Sequence, residues 1–406
     1  MNFRNSIFLF SVFLAIAGNA QQLDVYLQQA ETTNPKISGA NNEYEIALEK
    51  RNEVNTLPDT EFSVGYFISE TETRTGPQQF KLSARQMLPW FGTITARKNY
   101  AAAMADAEYV NVAIAKRQLK LNVSQSYYKL YAAMDMQNVL REQVSLLETY
   151  EELALTYIEV GKASAVDLLK LQIRKNELLQ EIEALKNTFK AEQAEFNSLL
   201  NQPVGTQIKV VNLSQMPLDS LSVSNTTVTT HPELIKFDKL YESVVSNETL
   251  NKKEGIPDFG VGIDYINVAE RPSQNFSDNG KDILMPMLSV SIPIFNAKYK
   301  SVSRQNELRQ KQITNERKER ENQLNAVLAE ALSARETALM NYRTQLKNLQ
   351  HAKDAEDILT KSYETGIIDF NDILDLQELQ LKFEKAIIKS ITNYYLQTAT
   401  LNYLTK

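Results

Sequence analysis

The chain contains no cysteine among its 406 residues, which excludes disulfides, thiolate nucleophiles and cysteine-ligated metals. Glycine (12) and proline (11) are scarce, which argues against loop-rich or disordered sequence and favours long helices. There are only 2 histidines, His231 and His351, far apart and in no ligand cluster, so surface or capping roles are expected and no metal site. No excess of basic charge exists: 44 Lys and Arg against 50 Asp and Glu leave a net charge of −6, so nothing draws the chain to nucleic acid. Beyond residue 21 no stretch offers the ~18 consecutive apolar residues that a membrane-spanning helix needs. No P-loop, Ser/His/Asp set or glycine-rich phosphate cradle is present, so neither an enzyme nor a cofactor is expected.

What is present begins with an export pattern. Arg4 supplies a positive n-region, 7–17 is a short apolar run, and Gly18 and Ala20 put small residues at −3 and −1. Cleavage before Gln21 is expected. Because Gln21, not cysteine, would head the mature chain, lipidation there is not expected.

The remainder reads as one unit written twice. Asn34-Pro35-Lys36-Ile37 resembles His231-Pro232-Glu233-Leu234, and Leu57-Pro58-Asp59 resembles Ile256-Pro257-Asp258. Met87-Leu88-Pro89-Trp90-Phe91 resembles Ser291-Ile292-Pro293-Ile294-Phe295, and the segment at Gly161 resembles that at Gly366. The offset stays at about 200 residues and the order is kept. The expected divisions are a signal at 1–20, a first repeat at 21–202, a polar linker at 203–230 and a second repeat at 231–406. Each copy predicts a short helix (35–55, 232–254), two strands, a very long helix (95–159, 298–363), a glycine turn and a return helix (165–200, 369–404).

The strands show period-two alternation. Phe62, Val64, Tyr66 and Ile68 share one face, as do Phe259, Val261, Ile263 and Tyr265. Their partners alternate likewise, with Phe80, Leu82, Ala84 and Leu88 in one copy and Leu288, Val290, Ile292 and Ile294 in the other. Long polar turns are expected at 69–79 and 267–282. Such strands suit a transmembrane barrel, apolar toward lipid and polar toward a lumen. They suit equally a soluble sheet with one face on a helical core. Four strands cannot close a barrel, so in lipid several chains would have to pool theirs. Trp90, Phe91 and Phe295 end strands and fit an interfacial aromatic girdle. Met285 and Met287 read as core or lipid-facing residues.

The run 95–159 lacks proline and glycine and would be about 95 Å long as a helix. That length implies a coiled coil or extended bundle. Leu178, Ile182, Leu185, Phe189, Phe196 and Leu199 form a heptad-like seam in the first return helix, interrupted by Glu192.

These features, with the tip segments from Tyr157 through Val160, Gly161, Lys162 and Asp167 to Leu168, and from Tyr363 through Gly366 and Ile367 to Asp375, resemble the TolC-like outer-membrane efflux proteins. The resemblance covers essentially all of the chain after residue 21. It implies a mostly α fold with four strands per chain, and a homotrimer with a twelve-stranded transmembrane β-barrel over a helical tunnel. It implies a location in the outer membrane, among its lipids, extending into the periplasm. It also implies a periplasmic adaptor and an inner-membrane pump, of RND type, as partners. Val160, Gly161, Lys162, Gly366 and Ile367 would form the adaptor-docking tip. Asp372, Asp375, Asp167 and Tyr363 would form the periplasmic gate. Some members place arginine two residues after the second tip glycine; here Ile368 stands there, leaving Asp167 without that ion-pair partner. Two rivals stay open: an exit duct for secreted proteins, and a soluble periplasmic coiled-coil adaptor.

Overall fold

The computed structural model describes residues 22–159, 164–211, 213, 216, 227–273, 276–364 and 370–406. The proposed signal and the docking-tip residues Val160, Gly161, Lys162, Gly366 and Ile367 lie outside that set. Helix α1 (22–33) opens the described chain. It is followed by α2 (Pro35–Glu53), β1 (Thr60–Thr73), β2 (Gly76–Leu88), α3 (Thr93–Glu159) and α4 (Ala165–Leu199). The same order then recurs as α5 (Pro232–Glu254), β3 (Asp258–Val268), β4 (Ile283–Ser291), α6 (Ala297–Glu364) and α7 (Phe370–Thr405). The fold is thus mostly α and duplicated in its order of elements, with one four-stranded antiparallel sheet ordered β1-β2-β3-β4.

The chain divides into two compact units that cut across the sequence copies. One comprises the described residues of 1–39, 113–231 and 321–406; the other comprises 40–112 and 232–320. Helices α3 and α6, of 67 and 68 residues, run through both.

In the first unit, the alternating three- and four-residue steps of α4 bury Leu171, Leu178, Ile182 and Phe196. The lower part of the seam meets Leu140, Leu147, Ile373 and Leu381. Phe196 and Leu200 meet Val123, Tyr127, Leu130 and the α1 residue Ala30. Asn197 is wholly buried because its amide donates to the carbonyls of Val204 (2.8 Å) and Thr206 (2.9 Å), tying the segment after α4 to the helix end. His231 also belongs to this unit. It immediately precedes α5, and in place of the surface position expected of it, it is buried with its ring edge-on to Tyr403 at 5.0 Å. The tyrosine at the end of α7 supplies an aromatic wall that sequence spacing does not reveal.

In the second unit, helices and strands keep the same lateral order. Tyr44 of α2 meets Tyr109 of α3 at 5.2 Å, and Arg97 of α3 pairs with Glu254 of α5 at 3.1 Å. Asn251 and Glu248 of α5 hold Ser303 of α6, at 3.0 and 2.8 Å. The row α2-α3-α5-α6 therefore matches β1-β2-β3-β4.

Two strand expectations are corrected. The region 69–79 is no long turn: β1 continues to Thr73 and β2 starts at Gly76, with Thr73 opposite Gly76. The β-branched Thr71 and Thr73 favour extended backbone. Gly76, at φ +137°, closes the tight turn, and a Cβ there would sit 2.0 Å from the Ala269 carbonyl oxygen. At the other end β4 stops at Ser291, before Pro293, so Ile292 and Ile294 follow the strand.

Candidate functional site

The sheet register decides what each face presents. Phe62, Ala84, Ile263 and Pro286 stand side by side across all four strands, and so do Val64, Leu82, Tyr265 and Leu284. A third row sets Val261 beside Leu288, and a fourth sets Leu88, Phe259 and Val290 together. Apart from Gln86 and Thr60, which complete the third row, this face is apolar, and it is open: Phe62 is 79%, Val64 76% and Leu288 87% exposed. A soluble sheet packed on its own helices would have buried it.

The opposite face carries Ser63, Ser83, Asp264 and Met285 in one row and Glu61, Arg85, Gly262 and Met287 in another. Lys81 forms an ion pair with Asp264 there. Met285 and Met287 thus lie on the polar face, not in a core or on the apolar face, because strand alternation gives that face to Leu284, Pro286 and Leu288. Among the described residues, β1 and β4 each keep one edge without a strand neighbour.

Aromatic residues mark the helical end of the sheet. Phe91 and Phe295 are exposed, and Trp90 stacks on Phe259 at 5.5 Å. The backbone N–H of Trp90 donates to Asp258 at 3.0 Å, fixing the bend between β2 and α3. At the far end, Arg74 pairs with Asp278 at 2.7 Å and Arg271 with Glu72, closing the two hairpin loops together.

The other candidate region is the tip end of the first unit. Asp167 occupies the third position of α4, where its carboxylate accepts from the Ser164 N–H (3.3 Å) while the Ser164 hydroxyl accepts from the Val166 N–H (3.1 Å). This capping box occupies the acid that lacks its arginine. Asp372 and Asp375 fall one turn apart on the exposed side of α7, flanking the buried Ile373. Asp375 lines a groove of about 290 Å³ with Lys170 and Arg174 of α4. Two polar links join α4 to α7 beside it, Lys170 to Asn371 at 2.7 Å and Arg174 to Glu378 at 3.0 Å. Tyr363 packs edge-on to Tyr157 at 5.5 Å, against the core that contains Leu147 and Ile373. The structure therefore brings Tyr363 near the α3 end and sets the two α7 aspartates on one face.

Sequence reading missed a buried polar knot above the tip. The Tyr150 hydroxyl donates to Glu356 at 2.9 Å. The amide of Gln380 donates to the same carboxylate at 2.8 Å, and Gln377 donates to it as well. Gln143 donates to the Gln377 carbonyl oxygen at 3.2 Å. Helices α3, α6 and α7 are thus joined through one carboxylate.

A second set of acids lines a groove of about 570 Å³ between the same helices, with Asp135 and Glu142 from α3 and Glu384 from α7. Burial pushes the Glu384 carboxyl above its usual range; Lys353 opposes the rise and Glu142 adds to it. Asp135 is raised by burial too, against a hydrogen bond from Tyr131 at 3.1 Å. A carboxyl raised in the folded state favours folding below its ordinary pKa, and that contribution is lost as pH rises through the folded value. Glu384→Gln should therefore raise the melting temperature at pH 7.5 and leave it little changed near pH 4. Thermal melts of both proteins across that range check this, and an unchanged difference between the two ends contradicts it.

Neither a protein-family model nor a curated protein sequence matches the chain. Solved structures do match it. The outer-membrane channel OprN shares 14% identity at TM-score 0.76, over 95% of this chain and 90% of that one. CusC, solved in conformations that accompany folding and transmembrane channel formation, shares 15% at TM-score 0.78, over 95% and 92%. The open state of the Neisseria gonorrhoeae MtrE outer membrane channel shares 16% at TM-score 0.73, over 94% and 88%. At such identities the shared property is the fold, and it is the TolC-like channel fold.

Proposed function

We propose that this protein is the outer-membrane exit duct of a tripartite efflux system. In this reading it is a homotrimer whose pooled strands close a twelve-stranded barrel above a helical periplasmic tunnel. It conducts small molecules or metal cations passively from an adaptor and an inner-membrane pump of RND type, and performs no covalent chemistry. The observation that carries this reading is the open apolar sheet face flanked by two unpaired edges. In lipid each unpaired backbone group costs several kcal/mol, so only closure with other copies makes the sheet tenable. A soluble adaptor has no use for such a face. The fold shared with outer-membrane channels supports the same reading.

Within the duct, Asp372, Asp375, Asp167 and Tyr363 are assigned to the periplasmic gate, and Val160, Gly161, Lys162, Gly366 and Ile367 to adaptor docking. Threefold symmetry would multiply the exposed α7 aspartates into rings of carboxylates, which attract cations. Purified protein in planar bilayers should give cation-selective channels, and Asp372→Asn/Asp375→Asn should lose that selectivity while still conducting. Protein that forms no channels sinks the duct; channels with unchanged selectivity sink the aspartate rings alone.

A further inference from the structure

Three methionines interrupt the polar face of the sheet. On a strand, residues two apart share a face, so Met285 and Met287 both point to the polar side while Pro286 takes the apolar one. A third joins them from β2. Met87 lies opposite Gly260 of β3, and Met287 lies opposite Gly262 from the other side. Three of the chain's 9 methionines thus stand on one patch of three strands, where an aqueous wall has no need of thioethers.

The two glycines of β3 are what let them meet. Glycine inside a strand weakens it and marks a close approach by some other group. Here the approaching groups are the methionines. A Cβ on Gly260 would lie 2.8 Å from the Met87 sulfur, and one on Gly262 would lie 3.5 Å from the Met287 methyl. Both side chains therefore reach over β3, one from β2 and one from β4. Gly260 and Gly262 are neighbours on that face, about 7 Å apart. A methionine carries three rotatable bonds, so the sulfurs of Met87 and Met287 can close the remaining distance over bare backbone, with Met285 next along β4. All three are at least partly exposed, Met285 by 39%.

The surroundings are close to neutral. Lys81 is paired with Asp264, and Arg85 stands opposite Glu61. Thioethers are uncharged, polarisable donors that hold soft cations and pass over the harder ions that prefer oxygen. Among the described residues, no group of three or more His, Cys, Asp or Glu is placed to hold a metal. We propose that Met87, Met285 and Met287 form a thioether site for a soft monovalent cation, Cu(I) or Ag(I), on the polar face of the sheet. The site is read from a single chain. That it lines a conduit rests on the barrel reading, in which three copies would ring the lumen with three such sites and the metal cargo would belong to this soft class. Neutral donors suit a wall that an ion must leave as readily as it enters.

The test uses the purified protein in detergent, titrated calorimetrically with Ag(I) in chloride-free buffer and with Cu(I) against a competing chelator. One ion per chain is expected, with an X-ray absorption spectrum of sulfur-only ligation. Met87→Leu, Met285→Leu and Met287→Leu nearly keep side-chain volume; each should weaken binding severalfold, and the triple variant should abolish it. Met340→Leu is the control, since Met340 stands exposed on α6, and it should bind as the parent does. Binding that survives in the triple variant, or oxygen and nitrogen ligation in the spectrum, overturns the site. Planar bilayers keep the two readings apart. Ag(I) should reduce the current through parent channels and leave that of the triple variant unchanged. Channels that Ag(I) affects equally in both proteins overturn the site and leave the duct standing. A parent that binds Ag(I) through sulfur yet forms no channels overturns the duct and leaves the site standing.

Discussion

Lysine at Val64, Val261 and Leu288 together is expected to abolish membrane insertion. The three lie within β1, β3 and β4, in the half nearer the helices, with Val261 directly beside Leu288 on the exposed apolar face. A lysine at the bilayer midplane of a barrel costs about 2–4 kcal/mol and less toward the interfaces, so three cost at most about 6–12 kcal/mol. That matches the whole margin of about 5–15 kcal/mol by which folded proteins exceed their unfolded states. The mirror experiment uses Ser63→Lys/Ser289→Lys, which places two lysines on the polar face among Lys81, Arg85 and Asp264. That variant should insert, with altered ion selectivity. Fractionation of membranes and conductance in planar bilayers give the readout, and the single tryptophan, Trp90, reports insertion by fluorescence. If the triple variant inserts like the parent, the apolar face does not meet lipid and the duct is wrong.

The second large effect lies in the polar knot above the tip. Gln377→Leu/Gln380→Leu removes two of the three side-chain donors to the Glu356 carboxylate and leaves the buried Gln143 amide without its acceptor. Glu356 is half-buried, and stripping partners from it and from the buried Gln143 costs about 1–3 kcal/mol. Adding Glu356→Leu removes the orphaned carboxylate as well, and replacing both sides of a buried polar contact by apolar groups is close to neutral. The triple variant should therefore be more stable than the double, a reversal that general loss of packing would not give. Urea titration followed by circular dichroism measures it. Because the knot joins α6 and α7 to α3, the double variant should also raise channel conductance in planar bilayers; a stability loss with unchanged conductance would make the knot structural only.

Much of this architecture can be read in the residues. The proline- and glycine-free runs locate α3 and α6 to within two residues at either end, since nothing in them breaks a helix. Alternation at Phe62, Val64 and Tyr66 locates β1 and its face, although only the register shows that the face is open. Helix α1 carries its own signal, with Leu23, Tyr26, Leu27 and Ala30 at helical spacing, but the segment is too short and polar at its margins to stand out. Ser164 and Asp167 spell a cap that is legible once a helix start is sought there. The Gln143, Gln377 and Gln380 amides are different in kind. On a helical wheel a glutamine looks like solvent-facing surface, and only a carboxylate from another helix makes it a core residue. His231 is hidden for the same reason, since its neighbour Tyr403 lies almost at the other end of the chain.

The sheet ends in two unlike strands, β1 and β4, and in a closed ring each can meet only the other. In the proposed ring the number of copies is set by how sharply successive copies turn, so its stoichiometry is a property of curvature. It follows that a copy damaged at one flank alone is more harmful in a cell than one that never folds. It takes a place in the ring through its sound flank, offers nothing at the other, and leaves its healthy neighbours unable to close.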